Sequence, residues 1–328
     1  MASFPYPWLV SQWQTLNQRL TQQRLPHAVL LSGLSGLGKQ AFAQAFAQRL
    51  LCETPLSNGV ACGECRSCVQ FQAQSHPDFL CVVPEETGKA IKIDQIRALI
   101  SNLGLASHYG QYRVAMIAPA EAMNLAAANS LLKSLEEPPP QTLLLLVTSQ
   151  PSRLPATIRS RCQELVFHRP SYALAQDWLC NNHPLDKEKT QELLSLSYGA
   201  PLAALSLSDT TALAEREAAF GAFYAIGTQS QSALPTDNAW LKAKLPAPIQ
   251  WLYSWISDLV KIKCHFDTTI TNVDKRSHLQ ELAEKVELSR LLTYFDAIMN
   301  YMRLQQSPLN AQMVVEDLLV QWQTLTQR

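Results

Sequence analysis

The spacing of apolar residues changes twice within the first fifty positions. Between residues 9 and 20 apolar residues fall four, three and four positions apart, which predicts an amphipathic helix. A continuous apolar run from Ala28 to Leu31 predicts a buried strand. Glycines follow at positions 33 to 38, and helical spacing resumes from Phe42 to Leu50. A strand, a glycine-rich loop and a helix in this order are typical of the start of a phosphate-binding α/β unit.

The alternation of strand and helix patterns continues to residue 167. Further strands are predicted at 79–83, 114–117, 143–148 and 164–167, with helices between them at 94–103, 125–135 and 152–159. This alternation predicts a parallel sheet with helices on both faces. After Pro170 only helical patterns occur. We therefore predict an α/β domain over residues 1–169, a small helical domain over 170–208 and a larger helical domain over 209–328.

The predicted C-terminal helical domain contains three long helical patterns and one polar linker. The helices are predicted at 246–263, 275–302 and 313–325, and the linker, rich in Ser, Thr, Pro and Asn, at 228–238. Aromatic residues recur at helical spacing within these helices, which usually places them in a core.

Composition narrows the classes of function that fit. The 328 residues are 47% hydrophobic and 16% charged, with 27 basic and 27 acidic residues. The hydrophobic fraction excludes wholesale disorder. Zero net charge argues against a strong overall attraction to nucleic acid or to an anionic membrane. The N-terminus does not resemble a signal peptide and the apolar run at 143–147 is too short to cross a bilayer, so we expect a cytoplasmic protein.

The loop at residues 33–40 nearly matches the phosphate-binding pattern G-x-x-x-x-G-K-[ST]. Gly33 and Gly38 allow backbone N–H groups to surround a phosphate, and Lys39 would neutralise its oxygens. The last position, whose hydroxyl should coordinate Mg²⁺, is Gln40. Two interpretations stay open, a loop that still binds nucleotide and a former site kept as a turn for packing.

The third predicted strand ends without the carboxylates that nucleotide hydrolysis requires. Such hydrolases hold Mg²⁺ with an acid at this strand end and often use a neighbouring Glu to activate water. Here the strand runs into Ala118 and Pro119, and Glu121 follows too far along the turn to replace them. Thr148, at the end of the fourth strand, could contact a γ-phosphate or simply cap a turn. We predict that the chain itself does not hydrolyse ATP.

Four cysteines with metal-ligand spacing interrupt the α/β pattern. Cys52, Cys62, Cys65 and Cys68 form the series C-x9-C-x2-C-x2-C, which predicts a tetrahedral Zn²⁺ site. Four thiolates leave no position for water, so the metal would be structural. An iron–sulfur cluster and free thiols are the alternatives. His76 is a spare ligand, although a turn role for it is favoured.

Several segments, taken together, resemble the delta-prime subunits of the bacterial DNA polymerase III clamp loader, which are AAA+ proteins. They are Leu25-Pro26-His27-Ala28, the loop at 33–40, the four-cysteine insert, His76-Pro77-Asp78, residues 129–139 (Asn-Ser-Leu-Leu-Lys-Ser-Leu-Glu-Glu-Pro-Pro) and Ser160-Arg161-Cys162. The resemblance covers the whole length. It implies an AAA+ RecA-like sheet domain, a helical lid domain and a helical collar domain that packs against sister subunits.

The resemblance also implies a role for Arg161. In this family the arginine of Ser-Arg-Cys reaches across a subunit interface into the ATP site of a neighbour, as an arginine finger. The family's motor subunits carry another nucleotide-contacting arginine in the lid, and Leu202 stands at that position here. The residues alone favour a surface arginine at the end of a helix, and the resemblance reverses that preference.

The leading hypothesis is a non-hydrolysing clamp-loader subunit that assembles with delta and gamma/tau subunits. It would supply Arg161 to a motor subunit and help to load the sliding clamp onto primed DNA. One rival is a subunit that binds or slowly hydrolyses ATP through Gly33, Gly38, Lys39 and Thr148. Another is a zinc-dependent nucleic-acid module, which the near absence of basic residues in the cysteine insert disfavours.

Overall fold

The computed structural model describes residues 6–86, 88–109, 112–208, 210–228, 247–266, 270–303 and 311–327. The chain divides into two compact units, Met1–Leu174 and Ala175–Arg328. The finer division of the second unit into two domains stays a prediction. The predicted linker, apart from Thr228, lies outside the described residues. Within the described residues, no helix is both long and apolar enough to cross a membrane.

The first unit is built on a five-stranded parallel sheet, as predicted. Its strands are β1 (Ala28–Gly33), β2 (Phe79–Val82), β3 (Arg113–Ile117), β4 (Thr142–Thr148) and β5 (Gln163–Phe167). They lie in the order β2-β3-β4-β1-β5. Every residue of the neighbouring strands β3 and β4 is buried, which is why residues 114–117 and 143–147 form continuous apolar runs.

Helices connect the strands and cover the sheet. They are α1 (Val10–Thr21), α2 (Lys39–Leu51), α3 (Arg66–Gln72), α4 (Ile93–Leu103), α5 (Leu125–Glu136) and α6 (Ala156–Arg159). Trp13 of α1 packs edge-on against the rings of Phe42 and Phe46 of α2. Leu99 of α4 and Leu131 of α5 belong to a separate apolar cluster with the sheet. These contacts fix α2, which begins at Lys39, and α5, which ends at Glu136.

The second unit is helical, as predicted. Its helices are α7 (Tyr172–Asn182, which begins in the first unit), α8 (Lys187–Leu196), α9 (Pro201–Leu207), α10 (Thr210–Gly227), α11 (Ala247–Lys263), α12 (Arg276–Lys285), α13 (Leu288–Arg303) and α14 (Ala311–Thr326). Its core contains the aromatic rings of Phe223, Trp255, Tyr294 and Trp322.

The single helix predicted at 275–302 is wrong in one respect, because the structure divides it at Val286. The backbone of Val286 is extended, with φ −117° and ψ 136°, and its side chain is buried in the core of the second unit. Burial of this β-branched side chain therefore takes precedence over continuing the helix.

Candidate functional site

The glycine-rich loop joins β1 to α2 at the carboxyl edge of the sheet. Gly36 and Gly38 have φ angles of 77° and 90°, a backbone region that glycine enters without steric cost. Gly33 has φ 144°, and a Cβ built there would lie 2.4 Å from the carbonyl oxygen of Phe167. The loop shape therefore depends on glycine at these positions, for turn geometry and for close approach to β5.

Lys39 points back onto its own loop. Its Nζ donates hydrogen bonds to the carbonyl oxygens of Gly33 (2.7 Å) and Leu34 (2.6 Å), and the residue is only 5% exposed. Burial lowers the pKa of Lys39 to about 8, although the charge of Glu121 acts in the opposite direction. The ammonium group is thus satisfied by backbone carbonyls at the place where a phosphate would lie.

The ends of β3 and β4 lack a magnesium-binding geometry among the candidate residues. Ala118 is buried after β3, and Gln40 is exposed at the start of α2. Thr148 is fully buried, and its Oγ1 accepts a hydrogen bond from the backbone N–H of Gln150 at 3.1 Å. This contact fits the capping role considered for Thr148.

Glu121 reaches further than the sequence suggested. It lies in a short 3-10 turn after β3, and its Oε1 accepts a hydrogen bond from the backbone N–H of Ser149 at 2.9 Å. The carboxylate therefore links the turn after β3 to the end of β4, and its negative charge acts on Lys39. Because Ser149 is 28 residues away, no local sequence signal could have revealed this contact.

The structure brings the four predicted metal ligands together. The Sγ atoms of Cys52, Cys62, Cys65 and Cys68 all lie within 4.8 Å of one another. Three of the pairs are 3.5, 3.9 and 3.9 Å apart. A tetrahedral zinc with Zn–S bonds of about 2.3 Å would place its sulfurs about 3.8 Å apart, so the donor set fits one metal ion.

Backbone N–H groups of the insert donate hydrogen bonds to three of these sulfurs. Cys52 Sγ accepts from Cys62 N at 3.3 Å, Cys62 Sγ from Cys65 N at 3.3 Å and Cys65 Sγ from Cys68 N at 3.4 Å. Hydrogen bonds from Thr54 and from backbone N–H groups lower the pKa of Cys62 to about 6, whereas burial raises the pKa of Cys52. Thiolates are the form that binds metal.

His76 links the cysteine insert to the sheet rather than joining the sulfur cluster. Its Nδ1 accepts a hydrogen bond from the backbone N–H of Asp78, at 3.1 Å. The proton therefore sits on Nε2, which contacts Ser67 Oγ at 2.9 Å, and Ser67 in turn donates to the carbonyl of Leu51. These contacts fit the turn role that the sequence favoured.

A buried ion pair anchors the same region and was not identified from the sequence. Arg113 Nε lies 3.1 Å from Asp78 Oδ1, and the Asp78 side chain is fully buried. Burial acts to raise the pKa of Asp78, but hydrogen bonds from His108, Arg113 and Ser107 outweigh it and hold the pKa below its ordinary value. The pair ties the start of β2 to the start of β3.

Arg161 follows α6 and remains accessible. Its side chain is 36% exposed and forms an ion pair with Glu136, the last residue of α5, at 2.6 Å between Nη2 and Oε1. Burial raises the pKa of the neighbouring Cys162 to about 12, so this thiol stays protonated. Leu202 lies in the second unit, half-buried near the start of α9.

Comparisons with known proteins agree along the whole chain. The family described as "DNA polymerase III, delta subunit" matches residues 9–171, and its C-terminal counterpart matches residues 210–324. The chain is 36% identical to the DNA polymerase III subunit delta' of Pseudomonas aeruginosa, and the match covers 98% of each chain. It is 31% identical to the subunit delta' of Escherichia coli, over 96% of this chain and 94% of that one.

A third comparison reaches a related but different subunit. The DNA polymerase III subunit tau of Escherichia coli is 32% identical over 216 residues, which cover 66% of this chain and 32% of tau. The similarity to tau is therefore confined to part of each chain, whereas the two delta' subunits above match 98% and 96% of this chain.

Proposed function

We propose a function for this chain from the premise that it belongs to the family of DNA polymerase III delta' subunits. It acts as a clamp-loader subunit that does not hydrolyse ATP and that supplies Arg161 to the ATP site of a neighbouring motor subunit. In this way it helps to load the sliding clamp onto primed DNA. The observation that carries the absence of hydrolysis is the end of β3, where the buried Ala118 stands in place of a metal-binding acid; the ammonium group of Lys39, bonded to the carbonyls of its own loop, is consistent with it.

The absence of hydrolysis is further supported by the residues around the loop. Gln40 replaces the hydroxyl that would coordinate Mg²⁺, and Ala118 and Pro119 stand where a metal-binding acid is required. Each change removes a separate group that stabilises developing charge during phosphoryl transfer. Leu202, where the motor subunits have an arginine, removes one more nucleotide contact.

The role of Arg161 is supported by its exposure and by its chemistry. A guanidinium group presents several N–H donors in a planar fork, which suits the oxygens of a phosphoryl group during its transfer. In well-studied enzymes an arginine finger accelerates hydrolysis by about 10³–10⁵-fold. In contrast to Lys39, the Arg161 side chain is accessible to a partner.

The proposed assembly contains this chain, a delta subunit and gamma/tau motor subunits, and it works in the cytoplasm. Support comes from the names of the relatives, which are delta' and tau subunits of DNA polymerase III. The four cysteines hold a structural Zn²⁺ that stabilises the insert. The sliding clamp and the primed DNA are contacted through the assembly.

A second candidate is a subunit of the same assembly that binds ATP without turning it over. The intact glycine geometry of the loop and the retained Lys39 favour it. Nucleotide would have to displace the two carbonyl contacts of Lys39, and a Lys39 ammonium freed in this way could bind phosphate. Equilibrium titration of the purified chain with a fluorescent ATP analogue tests this candidate, because saturable binding would support it and the absence of binding would support a loop kept only for packing.

The test of the main proposal is DNA-stimulated ATP hydrolysis by the reconstituted assembly carrying Arg161→Ala. Arg159→Ala, which changes an exposed arginine two residues earlier, is the matched control. We expect no turnover by the isolated chain, normal turnover with Arg159→Ala and a large loss with Arg161→Ala. Turnover by the isolated chain, or an assembly unaffected by Arg161→Ala, would contradict the proposal.

A further inference from the structure

Arg161 is held by two elements in a specific geometry. Its Nε and Nη2 both contact Oε1 of Glu136, at 2.9 and 2.6 Å. Its Nη1 donates to the backbone carbonyl of Thr157 at 3.1 Å and lies 3.4 Å from Ser160 Oγ. Glu136 of α5 thus holds the edge of the guanidinium group formed by Nε and Nη2, and Thr157 of α6 holds Nη1. The side chain nevertheless remains 36% exposed.

The position of Glu136 is unfavourable for a carboxylate unless a cation lies beside it. Glu136 is the last residue of α5, where the helix dipole disfavours negative charge. Arg161 compensates for this charge from 25 residues away. The backbone after Glu136 is also constrained, because Pro138, Pro139 and Pro140 follow and a residue before proline has restricted conformations.

We infer that Glu136 is a positioning residue for Arg161, which it holds so that the second N–H of Nη2 is left to face a neighbouring subunit's ATP; this inference rests on the proposed function of Arg161. A free arginine side chain loses much rotational freedom when it binds a phosphate. An arginine that is already held along one edge loses less of this freedom on binding. Part of the entropic cost of ordering the side chain is therefore paid before it contacts ATP.

A merely structural contribution of this ion pair is expected to be small. Both side chains are partly exposed, and exposed ion pairs contribute little to the free energy of folding. Glu136→Gln should therefore leave the unfolding temperature of the chain nearly unchanged. Its effect should appear in catalysis by the assembly, where about 1 Å of misplacement can cost a large fraction of the rate.

The experiment is a double-mutant cycle in the reconstituted assembly, with DNA-stimulated ATP hydrolysis as the readout. The variants are Glu136→Gln, Arg161→Ala and both together. Glu137→Gln is the matched control, since Glu137 is the adjacent exposed acid. We expect Glu136→Gln to lower kcat by about fivefold to tenfold with little change in KM for ATP, and Glu137→Gln to have no effect.

The double variant separates a positioning role from a structural one. If Glu136 acts through Arg161, Glu136→Gln has no further effect once Arg161→Ala is present, so the two losses are not additive. Glu136→Asp keeps the charge but shortens the side chain by one methylene, and it should lose less activity than Glu136→Gln. It also provides a second variant if Glu136→Gln assembles poorly.

Three outcomes would overturn the inference. If Glu136→Gln leaves kcat unchanged while Arg161→Ala lowers it, the proposed function stands and the positioning role is wrong. If Glu136→Gln lowers kcat equally with and without Arg161, Glu136 acts independently and the inference is wrong. If Arg161→Ala itself has no effect, both the proposed function and the inference fail.

Discussion

Lys39 and Arg161 both carry a positive charge in the first unit, but the structure treats them differently. Lys39 is buried, and its ammonium group is bonded to the carbonyls of its own loop. Arg161 is accessible and is held along one edge by a carboxylate of another helix. The sequence motif around Lys39 is the better known of the two, yet its cation is the less exposed, at 5% against 36% for the Arg161 side chain. A phosphate-binding motif therefore indicates the ancestry of the loop, whereas the contacts and exposure of its lysine are what indicate whether it can still bind phosphate.

The largest effect is expected in a third region, the cysteine insert, whose alternative role is nucleic-acid binding. Cys62→Ser removes one of four sulfurs that lie within 4.8 Å of one another. We expect loss of bound zinc and a decrease in the free energy of unfolding of about 4 kcal/mol or more, because structural metal binding is folding free energy. Metal content and thermal unfolding measure both.

The control for the insert is Cys81→Ser, which changes an exposed cysteine outside the cluster and should retain zinc and stability. A Cys62→Ser chain that folds normally but weakens the affinity of the assembly for DNA would support the rival nucleic-acid module. The difference between Lys39 and Arg161 would then describe only part of the function.

The next effect tests whether the loop now serves packing. Gly33→Ala places a Cβ 2.4 Å from the carbonyl oxygen of Phe167 at a φ angle of 144°, so we expect a loss of about 3 kcal/mol of stability. Turnover per folded assembly should not change. Thermal unfolding measures the loss, and Gly104→Ala is the control because its Cβ meets nothing closer than 3.6 Å. A stable Gly33→Ala chain would show that the close approach to β5 is dispensable.

Arg161→Lys tests whether Arg161 acts through its positive charge alone or also through the planar shape of its guanidinium group. Lysine keeps the positive charge but has no planar fork to contact Glu136 and phosphate together. We expect the assembly carrying Arg161→Lys to lose about tenfold in kcat, about 1.4 kcal/mol of transition-state stabilisation. Steady-state ATP hydrolysis measures it. An assembly that keeps its full rate would indicate that charge alone is sufficient.

The smallest effect is a dependence of stability on pH. The pKa of Lys39 is lowered from 10.5 to about 8 by burial. Between these values the unfolded chain binds more protons than the folded chain, so Lys39 makes stability rise with increasing pH. Lys39→Met should remove that rise, whereas Lys89→Met, at an exposed lysine, should keep it. Urea unfolding at pH 7.5 and 9.5 compares the slopes, and identical slopes in all three chains would mean that Lys39 is not buried as described.

Much of the fold followed from the sequence because its signals are local. The strand and helix patterns predicted the parallel sheet, since buried central strands such as β4 are continuously apolar. The cysteine spacing predicted the sulfur cluster for the same reason. The helical pattern did not reveal the break at Val286, whose side chain is buried in the core of the second unit.

The contacts that distinguish the two cations could not be predicted, because they depend on how distant segments meet. Glu121 reaches Ser149 across 28 residues, and Glu136 reaches Arg161 across 25. The contacts of Lys39 with the carbonyls of its own loop are local in sequence. The motif does not predict them, because it is the same whether the lysine contacts the loop or a phosphate. Only the geometry of the loop shows where its donors go.

The most direct test of the account is to compare Lys39→Met and Arg161→Ala side by side in the same reconstituted assembly. DNA-stimulated ATP hydrolysis is measured for equal amounts of intact complex. We expect Lys39→Met to leave turnover within about twofold of the unmodified assembly, because the loop takes no part in hydrolysis, and Arg161→Ala to lower it by about tenfold or more. Loss of turnover with Lys39→Met, or normal turnover with Arg161→Ala, would contradict this expectation.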